Sequence, residues 1–317
     1  PTLEQLPENL RTVCQKPRPH WGRLMSHAFA PAKINLYLHV TGRRSDGYHL
    51  LDSLLIFTNL GDHIDVVESE HLSLEIIGPF AQDLSTGEDN LVLQAARSLA
   101  DSAGIKPRAA IRLTKNLPVA SGIGGGSADG AAALRALVRH WRLTPAHDDL
   151  QQLALSLGAD VPACLTSQSC YIGGIGEELA PAPELPPVSL VLVNPGVAVS
   201  TPQVFQARAA PFSQNARLEM DPEVAPKTAA GLAHLLSLRQ NDLTDPAMKL
   251  MPAVADALRA LTISDGVLLA RMSGSGATCF GLFDNMETAA ATADLLRRER
   301  PNWWVQVASI LGAETPP

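Results

Sequence analysis

The residues best suited to chemistry lie in Leu117-Pro-Val-Ala-Ser-Gly-Ile-Gly-Gly-Gly-Ser127, which runs on into Ala128-Asp-Gly-Ala-Ala-Ala-Leu134. Gly122, Gly124, Gly125 and Gly126 fill all but one position of the stretch 122–126, so almost no Cβ guards that backbone. Such a loop takes positive φ readily and lets main chain approach a bound group. Ser127 is expected to cap a helix from Ala128 to Trp141, a run rich in Ala, Leu and Arg. A loop opening onto a helix N-terminus presents unpaired N–H groups and the positive end of the peptide dipoles, which suits a phosphate. A loop that binds nothing is the competing reading. No Gly-Lys-Ser/Thr follows, which excludes a Walker A loop. The spacing Gly122-Ile-Gly124-Gly-Gly-Ser127 approaches a dinucleotide fingerprint, but Pro118 interrupts the preceding strand and no acidic residue closes a following one at the required distance.

Several elements must hold this loop. Phe29 to Val40 alternates apolar and polar residues and predicts a strand with Lys33, Asn35, Tyr37 and His39 on one face. Arg43-Arg-Ser-Asp46-Gly47-Tyr48-His49 predicts a turn, followed by short strands at 54–57, 62–67 and 72–77 in an antiparallel run. Asn90 opens a helix through Ala100, and Ala110–Lys115 is a strand feeding the glycine loop. A helix is expected over Thr144–Leu157 with Pro145 in its first turn, then a stop and an extended segment at Gly158-Ala-Asp160-Val-Pro162. The Pro-rich run 181–187 is the expected domain boundary. Beyond it come a strand at 188–193, a surface loop over about 207–228, and helices at 232–238 and 252–261. A strand at 267–272 then enters a second glycine loop, Ser273-Gly-Ser-Gly-Ala277, followed by a strand at 279–283, a helix at 287–300 and a closing strand from Trp304. The mixture is α+β.

Composition narrows the class. The chain has 317 residues, enough for one large or two modest domains, with 46% hydrophobic and 18% charged residues. A net charge of −7 argues against a nucleic-acid binder that relies on a basic face. No apolar run approaches a membrane span, and residues 1–27 are Pro-rich without an apolar core, so neither a membrane protein nor a signal peptide is expected. Cys14, Cys164, Cys170 and Cys279 stand singly, which suits small reduced hydrophobes in a cytoplasmic protein better than zinc ligands or a disulfide framework.

Pro31-Ala-Lys-Ile-Asn35, the first glycine loop and Met272-Ser-Gly-Ser-Gly-Ala277, in that order, resemble the GHMP small-molecule kinases. Arg44-Ser-Asp-Gly-Tyr-His49, Gly158-Ala-Asp160-Val-Pro162 and Asn194-Pro-Gly196 are similar to the branch acting on 4-diphosphocytidyl-2-C-methyl-D-erythritol, a precursor in the methylerythritol phosphate route to isoprenoids. The likeness runs from about residue 28 to 312. It implies a two-domain GHMP kinase fold: residues 1–27 an extension, 28–182 an ATP-binding domain of ribosomal-protein-S5-like type, and 188–312 a ferredoxin-like domain.

The resemblance also implies phosphoryl transfer from ATP, accompanied by Mg2+, to a small-molecule hydroxyl. Asp160 would be the general base and Lys33 its partner. Pro118, Ser121, Gly122, Gly124, Gly125, Gly126 and Ser127 would hold the ATP phosphates, with Asn90, Leu91 and Lys115 near the adenine. Tyr48 and Phe205 would sandwich a cytosine that His49 hydrogen-bonds; Asn35 and Thr201 would meet the polyol, and Gly274 and Gly276 would lie near the phosphates. No carboxylate is assigned to the metal. Nothing in the sequence chooses between monomer and homodimer. Gly130 departs from the alanine usual in that helix.

Overall fold

The structure, a computed structural model, describes residues 25–214, 218 and 225–312. The expected extension lies outside it except for its last three residues, as do Cys14 and part of the loop expected at 207–228. In chain order the N-terminal part comprises β1 (Ser26–Arg43), β2 (His49–Val67), β3 (Ser73–Ile77), α1 (Leu91–Ser102), β4 (Ala110–Thr114), α2 (Gly125–His140), α3 (His147–Leu157), α4 (Val161–Thr166), β5 (Cys170–Gly173) and β6 (Glu178–Pro181). The rest comprises β7 (Ser189–Asn194), α5 (Thr201–Ala207), α6 (Ala229–Ser237), α7 (Thr244–Leu250), α8 (Pro252–Thr262), β8 (Val267–Met272), β9 (Cys279–Phe283), α9 (Met286–Glu299) and β10 (Trp304–Ser309).

The strands form two sheets. In the first, β3-β4-β2-β5-β6 lie side by side and β1 pairs with β2. The second runs β10-β7-β9-β8 with every pairing antiparallel, the ferredoxin-like order. One apolar core lies between the first sheet and helices α1 and α2, where Ala131, Leu134 and Leu137 meet Phe57, Ile64 and Val66. A second joins the sheets, with Ile34, Leu36 and Ile56 against Leu190, Leu192, Phe280 and Leu282. A third lies under α7, α8 and α9.

Lys33, Asn35, Tyr37 and His39 of β1 are all buried, because both faces of the strand are covered. Bulges at Pro31/Lys33 and Asn35/Tyr37 also break strict alternation. The segments 54–57 and 62–67 belong to one strand, β2. Gly61 is not a turn there; a Cβ on it would meet Phe29 at 2.7 Å, so glycine serves close approach to β1. The run is not wholly antiparallel either, since β3 and β4 pair in parallel.

Three helix boundaries also move. α2 begins at Gly125, with Gly124 rather than Ser127 at the cap. α3 begins at His147, leaving Pro145 outside. The segment expected to be extended after Gly158 is helix α4, because proline is tolerated in a first turn, where its missing N–H costs nothing. Strands β5 and β6 and helices α5 and α7 were not signalled by periodicity; each is only 4–7 residues long.

Candidate active site

Three elements converge at the glycine loop. Helix α2 starts at its end, Gly124 standing at φ 65° with no side-chain cap, so the first-turn N–H groups keep their polarity for a ligand. The first helical bond, Ala128 N–H to Gly124 O, is 2.9 Å. Gly126 is exposed, and a Cβ there would meet nothing within 4 Å, so this side of the turn is open. Gly124 has no such room: a Cβ would sit 2.8 Å from Lys33 Cε.

Strand β1 supplies Lys33, whose N–H donates to Ile123 O at 2.9 Å and fixes the strand beside the loop. The Lys33 ammonium lies 3.0 Å from Asp160 Oδ2. Asp160 is the N-cap residue of α4 but caps nothing with its side chain, which leaves the carboxylate to Lys33 and to solvent. The Lys33 side chain is 6% exposed and that of Asp160 42%. Burial is the largest single influence on the Lys33 pKa and pulls it down, yet the opposing groups together, Asp160 foremost, hold the ammonium above its ordinary value. The nearby thiols are neutral: burial pushes Cys164 up to about 12 and Cys170 up to about 11.

The second glycine loop closes the far side, main chain against main chain. A Cβ on Gly122 would meet Ser273 O at 2.5 Å and Gly276 N at 2.7 Å, and one on Gly274 would meet Gly122 O at 2.8 Å. Ser273 Oγ donates to Gly122 O at 3.0 Å and accepts from Asn35 N–H at 3.1 Å. Thr278 N–H donates to Ser121 O at 3.0 Å. Asn241 Nδ2 holds this loop from behind through Met272 O and Gly274 O, each at 2.8 Å. Sequence reading missed Asn241; its signal was an Asx turn into α7, Leu243 N–H to Asn241 Oδ1.

The remaining expected residues divide. Asn35 Nδ2 donates to Ser53 Oγ at 2.8 Å, while its Oδ1 is buried without a partner among the described residues, an acceptor set beside Gly274. Thr201 Oγ1 lies 2.7 Å from Ser275 Oγ. Asn194 is committed to structure, donating to Thr278 Oγ1 at 3.0 Å and accepting from Gly196 N–H. Tyr48 projects from the turn, 61% exposed, and the ring stacked on Phe205 is that of His49, with centroids 4.9 Å apart. Burial, then Arg43 and Arg208, hold the His49 pKa below its ordinary value. Ser121 Oγ is turned back onto Pro118 O.

Asn90 caps α1, accepting from Val92 N–H at 3.0 Å. It also borders a cavity of about 150 Å³ with Leu84, Ser85, Leu91, Gly126 and Asp129, next to the open turn of the glycine loop. A Cβ on Gly130 would press Leu91 at 3.1 Å, so the departure from alanine lets α1 and α2 close together.

Lys115 differs from expectation. Its ammonium is buried and sits 2.6 Å from both Asp62 Oδ2 and Asp129 Oδ2, so it is engaged behind the loop and not offered to a base. Asp62 Oδ1 accepts from the N–H groups of Asn116 and Leu117, which joins the entry of the loop to the first turns of α2 through one charge cluster. Among the described residues no cluster of three His, Cys, Asp or Glu side chains could hold a metal, and no helix is long and apolar enough to cross a membrane.

Comparison with known proteins agrees with this architecture. Residues 90–168 match the model of the GHMP kinases N terminal domain and residues 224–301 that of the GHMP kinases C terminal domain. The 4-diphosphocytidyl-2-C-methyl-D-erythritol kinase of Paramagnetospirillum magneticum is 53% identical over 283 residues, covering 89% of this chain and 97% of that protein. The enzyme of the same name from Granulibacter bethesdensis is 53% identical over 276 residues, covering 86% and 90%. A crystal structure of a 4-(cytidine 5'-diphospho)-2C-methyl-D-erythritol kinase superposes with a TM-score of 0.70 at 34% identity, covering 90% of this chain and all of that one. The chain therefore belongs to the 4-diphosphocytidyl-2-C-methyl-D-erythritol kinases, a branch of the GHMP kinases.

Proposed function

We propose that this enzyme transfers the γ-phosphoryl group of ATP to the 2-hydroxyl of 4-diphosphocytidyl-2-C-methyl-D-erythritol, with Asp160 as general base. The observation that carries the assignment of roles is the 3.0 Å Lys33–Asp160 pair beside the uncapped start of α2. Asp160 takes the hydroxyl proton, the freed oxygen attacks the γ-phosphorus, and the bond to the β-phosphate oxygen breaks. Lys33 keeps Asp160 ionised and counters charge on the transferring group, while the N–H groups of Gly124, Gly125, Gly126 and Ser127 face the phosphates. The fit of these residues to a polyphosphate rests on the open turn at Gly126 and on the absence of side-chain capping at Gly124. Mg2+ would come with the nucleotide and would neutralise phosphate charge, with Ser127 Oγ as the group that would hold it.

The adenine enters the cavity between Asn90, Leu91 and Gly126. Cytosine lies against the stacked His49–Phe205 pair with the exposed Tyr48 beside it, and Asn35 Oδ1 accepts from the polyol, which gives that buried oxygen its partner. Domains 28–182 and 188–312 meet at this site, each bringing one glycine loop.

The test is ATP consumption with the cytidine substrate beside homoserine, mevalonate and galactose. Turnover with the cytidine substrate alone is expected, and turnover with a control instead would discard the cytidine pocket. Asp160→Asn should keep ATP affinity and lose about 10²–10⁴-fold in kcat. Near-parental turnover in that variant removes Asp160 from the base role.

A further inference from the structure

Arg135 lies on α2, nearly three turns beyond the glycine loop and outside every site described above. Its guanidinium reaches three main-chain oxygens on two other elements. Nη1 donates to Cys164 O at 2.7 Å and to Leu165 O at 3.1 Å, and Nη2 donates to Phe29 O at 2.6 Å. Cys164 and Leu165 lie in the last turn of α4, where carbonyls have no partner within the helix. Phe29 lies on β1, on the same strand as Lys33 and four residues before it. Burial pushes the Arg135 pKa down to about 10, which still leaves the group charged at neutral pH.

Each of the three elements joined at this point carries one part of the phosphoryl-transfer site. β1 carries Lys33, α4 carries Asp160 at its start, and α2 begins at the phosphate loop. α4 spans only residues 161–166, a single turn and a half, and an isolated helix that short does not hold itself together. Its body packs into the core beside α2, Ser167 Oγ donates to Cys164 O at 2.8 Å, and polar contacts at its two ends set its direction. At one end Asp160 meets Lys33, and at the other the planar fork of Arg135 takes two carbonyls. We infer that Arg135 is a positioning residue that fixes the Lys33–Asp160 pair relative to the phosphate loop. This rests on the roles given to Lys33 and Asp160 above.

A guanidinium suits the task because its donors diverge in one plane and reach separate acceptors at once, whereas an ammonium offers its donors from one point. Small displacements of a base from its substrate are expensive; a shift of about 1 Å costs about 10²-fold in rate. Binding, in contrast, is spread over the loop, the adenine cavity and the cytidine pocket, none of which touches Arg135.

The experiment compares kcat, KM for each substrate and Tm in Arg135→Lys and Arg135→Leu, and repeats Arg135→Lys in the Asp160→Asn background. Arg135→Lys keeps the charge and should fold. Its kcat should fall about tenfold or more, with both KM values within about threefold of the parent. Arg135→Leu should fall at least as far. In the Asp160→Asn background the Lys substitution should cost clearly less than in the parent, because one of the two groups that Arg135 positions has already lost its function. Parental kcat in Arg135→Lys overturns the inference, as does a loss carried by KM alone or a full multiplication of the two losses in the double variant. If the catalytic reading itself is wrong, Asp160→Asn alone turns over normally, whatever Arg135→Lys does.

Discussion

At the scale of single residues, the site depends on which groups are kept charged and which are kept neutral. His49 is kept neutral, because burial, Arg43 and Arg208 all disfavour a second proton on its ring. A histidine with a depressed pKa keeps its neutral form as pH falls through its ordinary value of 6.5, and its contribution is lost only below that. The KM for the cytidine substrate should therefore stay flat down through pH 6.5 and rise at lower pH. His49→Gln should abolish the rise, and a KM that climbs already at pH 6.5 in the parent would contradict a neutral, base-facing imidazole. Some of this was legible in the sequence. The glycine run and the motifs around Lys33 and Asp160 marked segments that the fold brings together, with Lys33 and Asp160 in a 3.0 Å ion pair. What Lys115 does was not legible, since its partners Asp62 and Asp129 lie 53 and 14 positions away and only the folded sheet unites them. Arg135 was not singled out, for the same reason: its partners Phe29 and Cys164 lie far off in sequence.

At the scale of elements, the loop is held by the charge cluster beneath it. Two carboxylates and one ammonium are buried together there. Burial raises the Asp129 pKa well above the usual carboxylate range, with Lys115 pulling against it and Asp62 adding to it. Lys115→Met strands both carboxylates and should cost about 3–5 kcal/mol, seen as a Tm several degrees lower. Asp129→Asn keeps the shape and removes a charge the fold already resists, so it should cost distinctly less. Equal losses in the two variants would mean that the cluster is held by packing and not by its charge balance. Elements were legible where their periodicity was long. α1, α2 and α9 were found with small errors at their ends. α4 was misread because Pro162 looks like a helix breaker when the start of the helix is not recognised, and β2 was split at a glycine that serves packing.

At the scale of the whole molecule, the two sheets share one core, so neither half has a complete interior. Leu190, Leu192, Phe280, Leu282 and Ala308 of the second sheet pack on Ile34, Leu36 and Ile56 of the first. The far end of β1 is also bonded to the other half, Leu38 N–H to Gln240 O at 3.0 Å and Asp242 N–H to Leu38 O at 2.8 Å. A fragment of residues 188–312 expressed alone should thus be unfolded or aggregated by circular dichroism and amide-exchange measurements. A cooperatively melting fragment would show that the shared core is dispensable. The Pro-rich run 181–187 lies between the last strand of one sheet and the first of the other. The depth to which the halves interpenetrate could not be read from the sequence, because it rests on contacts between residues more than a hundred positions apart.

The meeting of Gly122 with the loop around Gly274 and Gly276 has a consequence for how such a protein can change over generations. Wherever two surfaces touch through side chains, one partner can drift and the other follow, a methyl group at a time. Here peptide faces peptide, and even one added carbon on Gly122 would lie 2.5 Å from the Ser273 oxygen. No graded series of substitutions leads away from that seam. The two halves are free to diverge elsewhere, but at this line they are inherited as a pair, and a hybrid of two relatives will succeed or fail according to whether their main chains meet here in the same register.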